Sequence, residues 1–147
     1  MFLEGRIFKD GKSWAAEIPT LDFETQAKTQ KEALTMIEDL CNVMFETDKT
    51  GIRDFSIELV DKQNGIFKFS TPHIAELLPY ILKRQRSLAA ISQGELARRV
   101  GSKSHNSIAA YELGDRQPTV QKLAEILAGL DLDLGISITT KKERIDA

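Results

Sequence analysis

The sequence predicts an α+β protein, in which a small sheet of three to five strands with one packed helix precedes an all-α region. Apart from one helical segment, the first 70 residues show the alternation of apolar and polar residues that is typical of strands. From residue 74 to 130 the apolar residues recur at helical spacing instead. The chain has 147 residues, 41% hydrophobic and 29% charged, which is enough for one ordinary domain or two small ones.

The first half contains five predicted strands. They cover residues 2–8, 14–18, 24–28, 55–60 and 66–69. Asp10-Gly11 and Asn64-Gly65 are dipeptides that favour tight hairpin turns, so we expect a hairpin at each. Pro19 ends the second strand.

One helix is predicted between the third and fourth strands. Thr29 and Glu32 have the spacing of a capping box, in which each side chain accepts from a free backbone amide of the first turn. Apolar residues then form one face that we expect to cover the sheet, namely Ala33, Leu34, Ile37, Leu40, Cys41, Met44 and Phe45.

Four helices are predicted in the second half. The first runs from Glu76 to Leu88, which places Pro79 in its first turn, where proline is tolerated. The other three begin after the capping residues Ser92, Ser104 and Thr119. Residues 132–138 alternate again and predict a terminal strand, which we expect to pair across a two-fold axis and bury Leu132, Leu134, Ile136 and Ile138.

These elements predict three parts of the chain. Residues 1–72 form an α+β domain, residues 73–130 a helical domain, and residues 131–147 a C-terminal strand and tail that serves dimerisation. The net charge of −2 conceals an asymmetry between them. Residues 1–72 hold nine Lys and Arg against 13 Asp and Glu (9 − 13 = −4), whereas residues 73–147 hold 11 against nine (11 − 9 = +2). A basic segment beside an acidic one indicates that only one part meets a polyanion.

Composition also limits the function. A single cysteine, Cys41, excludes an internal disulfide, and with two separated histidines it leaves no Cys or His set for a metal site. We therefore expect no cofactor. The sequence has no apolar run of the length that spans a bilayer and no signal-peptide pattern at its start, so we expect a cytoplasmic protein without membrane contact.

A motif between residues 92 and 119 carries the functional prediction. Gln93 follows the cap, Leu96-Ala97 lies inside the next helix, Gly101 lies at the turn, and Glu112-Leu-Gly-x-x-x-Pro118 follows the third helix. This pattern resembles the helix-turn-helix family of phage-repressor type, with a turn one residue longer than the family usually has. The resemblance implies binding to operator DNA.

The helix after this turn is predicted to enter the major groove with its N-terminal end at the base edges. That end offers four short polar side chains as candidate readers, which are Ser104, His105, Asn106 and Ser107. In the resembled family, the counterpart of Gln93 lies against the DNA backbone and steadies the reading helix. Our candidates for phosphate contacts are Arg99, Lys103 and Arg116, because phosphate contacts need only a positioned cation.

Residues 14–34 resemble the N-terminal domain of HicB antitoxins, which has a truncated ribonuclease-H-like fold. The matching positions are Pro19, Leu21, Thr25, Thr29, Glu32 and Ala33. Thr20 and Ala27 depart from the Asp and Gly of the family pattern. The resemblance implies a type II toxin–antitoxin role: HicB proteins block a HicA-type toxin, a small basic ribonuclease, and those with a helix-turn-helix repress their own operon. We expect a homodimer, because two half-sites specify an operator far better than one.

Two other interpretations stay open. The protein could be a stand-alone transcriptional regulator of the same helix-turn-helix family, whose N-terminal domain senses a ligand or dimerises. It could also be a metal-dependent nuclease, which needs several carboxylates around two metal ions. The carboxylates available in the strand region are Glu4, Glu17, Asp22 and Glu24. We expect no catalytic activity, since nothing in the sequence makes all four converge.

Overall fold

The computed structural model describes residues 1–136 and contains a five-stranded antiparallel sheet and five α-helices. The elements follow one another as β1 (Phe2–Asp10), β2 (Ser13–Ile18), β3 (Phe23–Ala27), α1 (Gln30–Thr47), β4 (Ser56–Asp61), β5 (Ile66–Ser70), α2 (Ile74–Leu88), α3 (Gln93–Arg99), α4 (Asn106–Leu113) and α5 (Val120–Gly129). A single 3-10 turn, Pro19–Leu21, separates β2 from β3. The predicted α+β class is confirmed, and the ribonuclease-H-like character stays a prediction.

The sheet has the strand order β3-β2-β1-β5-β4, and α1 packs on one of its faces. The register places Ile7 beside Ala16 and Leu3 beside Phe69, so these residues share the face that α1 covers. The core on this side consists mainly of Ile7, Ala16, Ile18, Leu21, Phe23, Ala33, Ile37, Cys41, Phe45, Phe67 and Phe69. The opposite face, which we call the open face, carries Glu4, Arg6 and Phe8 of β1, all of them exposed.

The predicted capping box begins α1. The Thr29 hydroxyl accepts from the backbone N–H of Glu32 at 3.1 Å. The Glu32 carboxylate reaches back to the backbone N–H of Lys28 at 3.2 Å, one residue before the cap. The predicted turn at Asn64-Gly65 also joins β4 to β5, and there the backbone needs glycine. Gly65 has φ +67°, and a side chain would overlap the Ile7 carbonyl oxygen.

A second core lies among the remaining helices. It contains Leu82, Leu96, Ala97, Ile108, Tyr111, Ile126, Leu127 and Leu130. Helix α2 belongs to both cores, since Leu77 and Ile81 pack against the sheet and Leu82 packs against α3–α5. The helical region is therefore attached to the sheet along a shared helix.

Two predicted boundaries within the helical region are wrong. Helix α2 begins at Ile74, two residues early, because the Thr71 hydroxyl accepts from the backbone N–H of His73 and starts the turn. Pro79 consequently lies inside the helix and not in its first turn. Helix α4 begins at Asn106, two residues after the predicted cap, although the Ser104 hydroxyl does accept from the Asn106 N–H at 3.1 Å.

The predicted terminal strand is wrong over its described part. Residues 132–136 form no strand. Leu132 donates its N–H to the Leu127 carbonyl at 2.8 Å, and the side chains of Leu132 and Leu134 pack against the second core. Their alternation therefore reflects burial against the end of the helical region. Residues 137–147, with the predicted Ile138 contact and the tail, lie outside the described residues, and the dimerisation role of this segment stays a prediction.

Candidate nucleic-acid interface

Helices α3 and α4 form the two helices of the predicted motif, joined by residues 100–105. The Ser92 hydroxyl caps α3 by accepting from the Glu95 N–H at 3.0 Å. Gly114, with φ +79°, ends α4 in the left-handed conformation that glycine tolerates. The two helices are thus bounded by local interactions that the sequence pattern predicts.

One side of α4 is buried, and the opposite side is exposed at its two ends and half-buried at Ala110. Ile108, Tyr111 and Glu112 point into the helical region. Positions four and seven residues apart share a helix face, so Asn106, Ala110 and Leu113 lie in a row on the opposite side, which we call the outward row. Leu113 is 74% exposed and lies at the edge of a cleft that Pro79, Tyr80 and Lys83 of α2 also line.

The four candidate readers gather at the N-terminal end of α4. Ser104, His105 and Asn106 are exposed, whereas Ser107 is half-buried. Within residues 1–136, the Asn106 side-chain amide has no hydrogen-bond partner in the chain, so it is free to meet a base edge. The first backbone N–H groups of a helix also favour an anionic ligand, which suits a phosphate-lined groove.

A buried polar network holds α4 in place. The Glu112 side chain is 4% exposed, and Arg86 of α2 donates to both of its oxygens at 2.5 and 3.0 Å. Gln93 of α3 donates its amide to Glu112 at 2.9 Å. Arg86 also donates to the Ile91 carbonyl at 2.9 Å, and its bonds to Glu112 raise its pKa. Gln93 therefore ties α3 to α4, and its contact with DNA stays a prediction.

The candidate phosphate contacts differ in their surroundings. Arg99 pairs with Glu95 at 3.2 Å and donates to the Gly129 carbonyl at 3.0 Å, so its guanidinium already has partners in the chain. Lys103 and Arg116 are exposed, and neither forms an ion pair within the described residues. The Arg116 guanidinium lies 5.8 Å from the ring centre of Tyr111. Lys103 and Arg116 are therefore the better placed of the three for phosphate.

The burial of Glu112 and the exposure of Leu113 were not predicted, although both residues lie in the motif between residues 92 and 119. Glu112 follows Ile108 by four positions, so it had to share the buried side of the helix, and a buried carboxylate needs a cation. That spacing was a usable signal. Leu113 carried none, because a single leucine at a helix end is equally consistent with burial.

The strand-region carboxylates do not form one group. Glu17 and Glu24 are cross-strand neighbours, and Glu4 is on β1 of the same open face. Asp22 lies apart in the turn before β3, with its carboxylate 3.8 Å from the Arg84 guanidinium. Across residues 1–136, no three His, Cys, Asp or Glu side chains lie close enough together to hold a metal ion.

Comparison with known proteins supports the motif. Residues 82–136 match the family model described as helix-turn-helix, of the phage-repressor type, and this range contains α3, α4 and α5. A search of the curated proteins gives no match. The helix-turn-helix match indicates sequence-specific DNA binding and a role in transcriptional regulation. Of the helices in the described part of the chain, none has the length and apolar character to cross a membrane.

Proposed function

We propose that this protein is a type II antitoxin of the HicB kind, which represses its own operon through α4 and inhibits a HicA-type toxin through its sheet. The observation that carries the proposal is the combination in one chain of a helix-turn-helix with an acid-rich, uncovered sheet face. Repression requires a surface that binds DNA, and toxin inhibition requires a surface that binds a protein. In this chain the two surfaces lie on different elements, α4 and the sheet.

The DNA-binding part rests on α4. Its N-terminal end presents Asn106, and Lys103 lies three residues earlier in the chain. Within residues 1–136 neither side chain has an intrachain partner. One such helix reaches only a few base pairs, so the proposed repressor is a homodimer that places two α4 helices about 34 Å apart, one turn of the duplex.

The toxin-binding part rests on the open face. Its acidic side chains are Glu4, Asp10, Glu17, Glu24, Glu58 and Asp61, and its basic ones are Arg6 and Lys68. Phe8 and Val60 are 42% and 44% exposed on the same face. Acidic groups around exposed apolar ones suit a basic protein, since complementary potentials raise the encounter rate and the apolar contacts hold the complex. The sheet would cover the active site of the toxin and carry out no catalysis of its own.

The experiment tests the two surfaces separately with the full chain. The toxin probe is a small basic ribonuclease encoded beside this gene, and the DNA probe is the upstream region of the operon. We expect the charge reversal Glu17→Lys/Glu24→Lys on the open face to weaken toxin binding at least tenfold and to leave DNA binding unchanged.

The matched control is Asp39→Lys/Glu46→Lys, which makes the same charge change at exposed positions of α1. It should leave toxin binding nearly intact. Equal losses for the two pairs would reject the open face as the docking surface, and failure of the unaltered protein to silence the ribonuclease would reject the antitoxin role.

One observation favours a second candidate, the stand-alone regulator with a ligand-sensing domain. A cleft of about 460 Å³ lies between the start of β1 and the helical region. Its apolar lining includes Phe2, Leu78, Ile81, Leu127 and Leu134. A small apolar molecule bound there would touch both cores and could couple them. Specific DNA binding that changes on addition of such a molecule, in a protein that silences no neighbouring ribonuclease, would favour this candidate.

A further inference from the structure

The chemistry of α4 limits which bases it can read. The helix contains Asn106, Ser107, Ile108, Ala109, Ala110, Tyr111, Glu112 and Leu113, with no Arg, Lys or Gln among them. The commonest specific contact to guanine is a bidentate one from Arg or Lys to O6 and N7. No residue of α4 itself can make that contact.

The neighbouring cations lie beyond the two ends of the helix. Arg116 follows α4 and lies beside the ring of Tyr111, which belongs to the buried side, so Arg116 is directed away from the outward row. Lys103 lies in the turn before α4. His105 can donate to N7, but both purines present that atom, and the hydroxyls of Ser104 and Ser107 can bond to either purine. These three residues therefore do not separate adenine from guanine.

Asn106 has the chemistry for adenine. A carboxamide donates and accepts at once, which matches the N7 acceptor and N6 donor of adenine in the major groove. Asn106 is the first residue of α4 and is exposed. It can therefore approach a base edge with the axis of the helix along the groove.

The rest of the outward row is apolar. Ala110 is half-buried and lies four residues after Asn106, about 6 Å along the helix axis, which corresponds to one or two base pairs of the duplex. Leu113 continues the row and is 74% exposed. Thymine alone among the DNA bases presents a methyl group in the major groove, and apolar side chains are the ones that contact it.

We propose that α4 selects A·T base pairs, with Asn106 reading adenine and with Ala110 and Leu113 contacting thymine methyl groups. This inference rests on the proposed DNA binding. The inference specifies which base pairs the protein recognises. The contacted pairs of each half-site are A·T, and the side-chain amide of Asn106 and the apolar residues of the outward row contact them.

Base analogues test the inference without altering the fold. The full-length protein first selects duplexes from a random pool, and we expect A·T pairs at the centre of each half-site. In the selected duplex, each thymine is then replaced in turn by deoxyuridine, which removes only the methyl group. We expect about a fourfold loss of affinity at one or two positions, the amount that one buried methyl group supplies. Replacing one adenine by 7-deazaadenine, which removes N7, should cost about tenfold.

Protein variants then assign each loss. With Leu113→Ala or Ala110→Gly, the deoxyuridine effect should disappear at one position and remain elsewhere, and with Asn106→Ala the 7-deazaadenine effect should disappear. Val120→Ala removes another exposed apolar side chain, beyond α4, and should change nothing. Circular dichroism before and after each change confirms that the helices are retained.

Three results would overturn the inference while the DNA-binding function stands. These are selected half-sites with G·C at the contacted pairs, a guanine preference that is lost on Lys103→Ala, and full affinity for duplexes in which every thymine is deoxyuridine. Absence of any sequence preference would instead overturn the proposed function itself.

Discussion

The sheet and the helical region are stabilised in different ways. In the core between the sheet and the helices, the ring of Phe45 in α1 has four aromatic neighbours. Its ring centre lies within 6.0 Å of those of Phe23, Phe55, Phe69 and Tyr80. The helical core is smaller, with Tyr111 as its one aromatic residue in the described chain. In place of large rings it has the buried Arg86–Glu112–Gln93 network. The DNA-binding part therefore depends on a few directional contacts, and the sheet on apolar area.

Helix α2 connects the two regions and makes their stabilities interdependent. Its Tyr80 hydroxyl donates to the Asp48 carboxylate at 2.8 Å, and Gln85 donates to the Thr20 carbonyl at 2.7 Å. Arg84 donates to the Leu21 carbonyl. Helix α2 also supplies Leu82 to the helical core. If the sheet unfolds, α2 loses its contacts there, and the helical core is expected to lose the packing of Leu82.

The largest effect is expected from Phe45→Ala. Removing this ring should lower the free energy of unfolding by about 4 kcal/mol, because the neighbouring rings cannot collapse into the space. Urea unfolding is followed by Trp14 fluorescence for the sheet and by the methyl NMR signal of Ile126 for the helical region. Both midpoints should fall together. Midpoints that separate would show that α2 does not couple the regions.

The control for this experiment is Phe8→Ala on the open face. Phe8 is exposed, so its removal should change the free energy of unfolding by about 0.5 kcal/mol or less. A loss as large as that of Phe45→Ala would mean that the open face is covered by another molecule under the conditions used.

The second effect tests the polar network. Glu112→Ala leaves the Arg86 guanidinium buried without its carboxylate, and we expect a loss of about 3 kcal/mol. The double variant Arg86→Met/Glu112→Leu replaces the pair by apolar side chains and should recover stability to within about 1 kcal/mol of the original. Denaturation followed at Ile126 measures both. A double variant no more stable than Glu112→Ala would contradict this description.

The same comparison explains what the sequence could predict. The capping residues Thr29, Ser92 and Thr119 were identifiable because a cap needs only a hydroxyl three residues before a backbone N–H. The helix-turn-helix was identifiable because the pattern of residues 92–119 resembles a known family. In contrast, nothing local specifies that α2 serves two cores, because its partners lie about 60 residues earlier in the chain.

The misread terminal strand illustrates a related limit. Leu132 and Leu134 alternate with Asp131 and Asp133. A strand shows this pattern, and so does an irregular segment that packs its apolar side chains against a core. Periodicity records which side chains are buried, and only the neighbours decide the backbone conformation. Of the candidate readers at 104–107, Asn106 and Ser107 begin α4, whereas Ser104 and His105 lie in the turn before it. The Arg99–Glu95 pair is local to one helix, but the bond from Arg99 to the Gly129 carbonyl depends on packing.

A smaller effect is expected from Gln85→Ala. The variant removes one hydrogen bond between α2 and the turn before β3, and a neutral hydrogen bond contributes about 1 kcal/mol. The matched control is Lys83→Ala on the exposed side of the same helix, which should change stability little. The hydrogen-exchange rate of the Leu82 backbone amide measures how firmly α2 is held against the turn before β3. Unchanged exchange with Gln85→Ala would show that the apolar contacts of Leu77 and Ile81 alone attach the helix.

The smallest effect concerns Glu95, which is half-buried and therefore more open to solvent than Glu112. Hydrogen bonds from Arg98 and Arg99 lower the pKa of Glu95 from 4.5 to about 2. Because the folded protein binds this proton less readily than the unfolded chain, the stabilisation is present above pH 4.5 and is lost as the pH falls towards 2. Carboxyl NMR titration should place the Glu95 midpoint near the lower value at low salt. Added salt should raise it, because both partners are open to solvent. A midpoint near 4.5 at low salt would mean that Arg98 and Arg99 are free to bind phosphate instead.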